Sequence, residues 1–158
     1  MLDTFQGLPV HALIVHATVI VLPLTAVAVA LAAVHPRFRS WIGWIAPAAA
    51  VASVVLVQLT TMSGHKLYER FERVHGVSKD LEHHKQLAGL LIWLVLPLAA
   101  LAVAGYFLHR REDSGKVVLN VVAALAVISA VSVMVDVALI GHAGASSAWK
   151  PIVDNTNR

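Results

Sequence analysis

Residues 87–108 read LAGLLIWLVLPLAALAVAGYFL, a run without a single charged side chain. At a rise of about 1.5 Å per residue, some 20 apolar residues cross the hydrocarbon core of a bilayer. In lipid the backbone must satisfy its own hydrogen bonds, so this run is expected to be a transmembrane helix. Three further runs meet the same length, giving helices at approximately 12–34, 41–63, 87–108 and 117–140. Pro23, Pro47 and Pro97 fall within these runs. Prolines are tolerated there because neighbouring helices re-satisfy the freed backbone groups.

The composition agrees. The chain of 158 residues is 58% hydrophobic and 13% charged, whereas a soluble domain carries about 25% charged residues. It reads as one domain, 1–158: an all-α, integral membrane four-helix bundle. With no cysteine, disulfides, zinc–thiolate sites and protein-ligated iron–sulfur clusters are excluded. The net charge of +3 comes from basic residues in the connections, where they act as topology signals and not as a nucleic-acid surface. The opening MLDTFQGLPVH holds an acid and no Lys or Arg, unlike a secretory n-region, so the first run is expected to remain as a mature helix.

The connections are 35–40, 64–86 and 109–116. The middle one carries both charge signs, with Leu67, Phe71 and Val74 at helical spacing, and reads as a short interfacial helix. Arg37, Arg39, Arg110, Arg111 and Lys116 crowd the two short loops. Local basic density therefore puts those loops in the cytoplasm and both termini outside, in a bacterial inner membrane.

VLPLTAVAVALAAVHPR, from Val21, matches VLPLAALAVAGYFLHRR, from Val95, at ten of seventeen positions. The second and fourth runs end in Gly64-His65 and Gly141-His142. Two tandem hairpins follow, repeated in parallel about an axis along the membrane normal. This repeat pairs His65 with His142, and His11 and His16 with His83 and His84.

Those histidines mark the candidate site, since all four helix ends on the outer face carry one. Asp136 lies deeper in the fourth helix, in a stripe with Ser129 and Ser132. Gln58, Thr61 and His65 form a similar stripe on the second. An intramembrane acid is costly and is expected to face the bundle interior with a partner, for which His16 has the right depth. Imidazole ligates haem iron, copper and zinc, and bundles build cofactor sites from facing helices. The candidate ligands of a haem b, or of a copper or zinc ion, are His16, His84, His65 and His142, with Asp136, Gln58 and His11 supporting them from behind. An interfacial histidine is also an ordinary polar end group, and His35 and His109, beside arginines, read that way. The alanines (Ala26, Ala46, Ala50 and Ala126 among them) read as packing surface. Trp41, Trp44 and Trp149 read as interfacial anchors. Trp93 lies deeper, as a core or pocket residue.

GLPVHALIVH, TMSGHKLYERF, EHHKQLAGLLIW and GHAGASSAW resemble a bacterial family of predicted four-helix membrane proteins, domain of unknown function 2231. The resemblance spans nearly the whole chain and its matching histidines are His11, His16, His84 and His142. Ala12 stands where the family often has proline, and a glycine after the third-helix histidine is displaced to Gly89. Some relatives are joined to Rieske-type or other redox domains, so the resemblance implies electron transfer. The functional expectation is an electron carrier and not an independent enzyme, exchanging electrons with a membrane redox complex or quinol. The alternative is a cofactor-free accessory subunit of a larger membrane complex. Beyond the lipid bilayer, a second copy of the chain is a compatible partner and nucleic acid is not.

Overall fold

The computed structural model describes residues 4–5 and 7–156. Strands β1 (Thr4–Phe5) and β2 (Leu8–Pro9) form a minimal antiparallel hairpin, turned at Gly7 with φ +82°. Five helices follow: α1 (Val10–Val34), α2 (Pro36–Ile42), α3 (Ile45–His75), α4 (Lys79–Leu108) and α5 (Lys116–Thr156). Four of them, all but α2, are long and apolar enough to cross a membrane.

Local chemistry sets the ends. Pro36 takes the first position of α2, where its missing N–H costs nothing, and His35 Nδ1 accepts from the Phe38 amide at 3.3 Å. Gly43 (φ +47°) closes α2 and Gly76 (φ +74°) closes α3, both in a backbone region that L side chains avoid. Ser78 caps α4 by accepting from the Leu81 amide at 3.2 Å. Asp80 and Glu82 sit in that first turn, where the helix dipole favours acids.

Four long helices carry the four apolar runs, but the ends differ from expectation, and residues 41–42 belong to α2, with α3 starting at Ile45. Segment 64–86 is no separate interfacial helix: α3 runs on unbroken to His75, and α4 starts as early as Lys79. Likewise α5 continues to Thr156. At one end of the bundle α3, α4 and α5 thus project well past their apolar runs, while α1 begins at Val10. Helical geometry holds there through local bonds, such as Arg73 Nε to the Glu69 carbonyl at 3.1 Å, which hydropathy does not register. At the other end, loop 35–40 is mostly the short helix α2.

In section the order is α1, α3, α4, α5 and back to α1. Each helix packs on two neighbours, and α1 and α4 touch only lightly across the diagonal. The core is built of small and medium side chains, among them Leu22, Ala26, Ala46, Ala50, Val95, Ala99, Ala126 and Ala130. Small residues let helices approach closely where no hydrophobic drive operates between them. Large apolar side chains point outward, as lipid solvent allows, and Trp93 (70% exposed) is one of them, not a pocket or core residue.

The parallel repeat is written in this burial, at a register one residue from the sequence match. Thr18, Leu22, Thr25 and Ala26 of α1 are buried, and so are Leu91, Val95, Leu98 and Ala99 of α4, each 73 residues later. Matching LPL to LPL uses 74 and would set buried Leu22 on exposed Leu96. Between α3 and α5 the spacing is 80, taking Ala46 and Ala50 to Ala126 and Ala130.

Candidate functional site

The end of the bundle that carries both termini holds a cleft of about 460 Å³ with walls from all four long helices. Its lining is mostly apolar, with Val15, Val57, Leu91 and Ile140 below and His11, His16, His65 and His84 around it.

Two of these histidines are held in the same way. His11, on the first turn of α1, lies with Nδ1 3.1 Å from the Thr60 carbonyl of α3 and 3.3 Å from Ser63 Oγ. Ser63 donates to that same carbonyl at 2.9 Å. His84, on α4, has Nδ1 3.0 Å from the Ile140 carbonyl of α5. A carbonyl only accepts, so each ring carries its proton on Nδ1 and presents a bare Nε2. Among the described residues neither Nε2 has a hydrogen-bond partner. Both rings line the same cleft.

Each ring also lies close against a glycine placed four residues after its acceptor. A Cβ on Gly64 would come within 2.9 Å of His11 Cε1, and one on Gly144 within 3.1 Å of His84 Cε1. The spacings are again those of the repeat: 73 from His11 to His84, 80 from Thr60 to Ile140 and from Gly64 to Gly144. The pseudo-twofold axis therefore relates the two imidazoles across the cleft. His65 and His142 are not equivalents, because the register takes His65 to Ala145.

The remaining expected residues are dispersed. His16 turns its Nδ1 back to the Ala12 carbonyl of its own helix and is exposed on the cleft edge. His65 also edges the cleft, with Nε2 3.4 Å from Glu69 one turn along. His142 and His83 are exposed and outside the cleft. Gln58 faces outward. His11, expected only in support, is a full member of the symmetric pair.

Asp136 is buried (7% exposed), and its Oδ2 has no hydrogen-bond partner among the described residues. It shares a face of α5 with Ser129, which donates to the Leu94 carbonyl at 3.4 Å, and with Ile140. That face looks at α4. The expected pairing of Asp136 with His16 is not made, and the proton on His84 Nδ1 goes to a backbone carbonyl instead. Between α1 and α3 the buried polar groups are satisfied: Thr18 and Thr60 hydroxyls meet at 2.7 Å, and Ser53 reaches Thr25 at 3.4 Å.

The fold and this cleft define a polytopic helical membrane protein with a histidine-faced cup at one end. The chain belongs to the predicted membrane protein family DUF2231, whose model matches residues 7–157. No curated protein and no solved structure matches it.

Proposed function

We propose that this protein is a membrane electron carrier that holds one haem b in the cleft, with His11 and His84 as its two axial ligands. The observation that carries the reading is the symmetric pair of imidazoles, each tied through Nδ1 to a neighbouring helix and open at Nε2. Tethering of the far nitrogen to a carbonyl is how protein ligands to metals are oriented and made more basic. Two histidines from different helices suit a haem iron. A cleft of about 460 Å³ lies within the usual range for cofactor sites, roughly 300–1,000 Å³. Zinc or copper held by histidines asks for a third or fourth ligand, and His16 or His65 would have to leave its present bond to supply one. Among the described residues no three His, Asp or Glu side chains already gather for a metal ion.

Bound haem would supply one-electron chemistry. The protein's own part is to hold both imidazoles in one tautomer, to keep water out with apolar walls, and to bring the site to one membrane face. Basic density in the short loops assigns that face to the outside of the bacterial inner membrane, where a membrane redox complex or quinol would exchange electrons with it.

The test is an absorption spectrum of detergent-purified protein produced with haem available, oxidised and then reduced with dithionite. The reading expects a Soret band and sharpened α and β bands on reduction, at one haem per chain. A featureless visible spectrum would overturn it and leave the cofactor-free accessory subunit standing.

A further inference from the structure

Lys85 follows His84 by one residue and lines the same cleft. Its Nζ sits 3.7 Å from the centroid of the Tyr68 ring on α3. Among the described residues no carboxylate lies within ion-pairing distance of it, whereas nearby Lys150 and Asp80 approach to 3.5 Å. A lysine stem can lie along apolar surface while its head seeks water or an anion. This head is parked over an aromatic face instead, at the rim of an apolar cup. Lys85 is the one permanently cationic side chain among those that line the cleft. A ligand matching this arrangement has an apolar body, two faces for the imidazoles, and an anionic edge at the open end.

We infer that Lys85 binds a carboxylate of the cleft's occupant. Resting on the haem reading, that carboxylate is a propionate, and the propionate edge of the porphyrin points to the end of the bundle that carries the termini. Tyr68 is the support that holds the ammonium at the rim.

The experiment titrates the full-length protein, produced without haem, with haem b and with its dimethyl ester, in wild type and in Lys85→Gln. Soret absorbance gives the affinities and a redox titration the midpoint potentials. Esterification should weaken binding to wild type by about tenfold, the loss expected of one charge-assisted hydrogen bond. Lys85→Gln should weaken binding of the free acid by a similar factor and leave the ester unaffected, and Lys85→Arg should restore most of the loss. With haem b bound, Lys85→Gln should also lower the midpoint potential, because a cation near the iron favours the reduced form. A bis-imidazole spectrum whose affinity ignores both esterification and Lys85→Gln overturns this inference while leaving the haem reading intact. Failure of wild type to bind either porphyrin overturns both.

Discussion

An imidazole whose Nδ1–H is held by a carbonyl can offer only Nε2, so the backbone bonds of His11 and His84 decide which way each ring works. The glycines behind the rings are part of that decision. Adding a methyl at Gly64 forces it against His11, where a Cβ would stand 2.9 Å from Cε1. Overpacking of this kind costs about 1–3 kcal/mol. Gly64→Ala is therefore expected to lower thermal stability in detergent and to reduce cofactor occupancy. Gly89→Ala, where a Cβ meets nothing within 4 Å and which does not line the cleft, should do neither. Equal effects of the two substitutions would remove the clamp from the account. Asp136 makes the opposite prediction. A buried, unpartnered carboxylate in a transmembrane helix is a liability of up to about 3 kcal/mol, so Asp136→Asn should leave the fold as stable or more stable in denaturant unfolding. A clear loss would mean that the carboxyl has a partner worth more than its burial costs.

At the scale of the helix, hydropathy marked the four spans because lipid admits no other way to satisfy their backbones. It could not mark where α3, α4 and α5 stop. Past Gly64 in α3, and past Gly141 in α5, the residues turn polar while the helix continues, and polar helix outside lipid leaves no apolar run to read. The true stops were nonetheless present as chemistry, in Gly76 with its positive φ and in the Ser78 cap. The first hairpin also differs in kind from the second. Its helices meet through the Thr18–Thr60 and Thr25–Ser53 hydroxyl contacts, where the repeat places Leu91 and Ile140, and Leu98 and Val133. Interhelical hydrogen bonds in membranes average about 0.6 kcal/mol. Thr18→Val should accordingly cost well under 2 kcal/mol in unfolding. A larger loss would show that these bonds, and not the small-residue core, hold α1 to α3.

At the scale of the molecule, two similar hairpins surround one cleft, and that symmetry turns two ordinary interfacial histidines into a facing pair. The sequence showed that histidines gather at one face. Which of them meet depends on the packing register, which alanine-rich similarity set one residue off between α1 and α4, and three residues off between Gly64 and its true counterpart. That slip pairs His65 with His142 and leaves His11 in a supporting place, whereas His84 is among the expected ligands in either register. Orientation in the membrane is open to a direct check, because the chain has no native cysteine. Lys79→Cys and Glu112→Cys lie on exposed positions at opposite ends of the bundle. In intact spheroplasts an impermeant maleimide should label the first and spare the second, and the reverse pattern would put the cleft in the cytoplasm. Whether His11 and His84 together hold one iron is read by low-temperature electron paramagnetic resonance of the oxidised protein and its single histidine variants. A low-spin bis-imidazole signal is expected in wild type, in His16→Ala, in His65→Ala and in His142→Ala, and its loss or conversion to high spin in His11→Ala and in His84→Ala. A protein without a ferric haem signal, or one whose low-spin signal survives both His11→Ala and His84→Ala, would contradict that expectation.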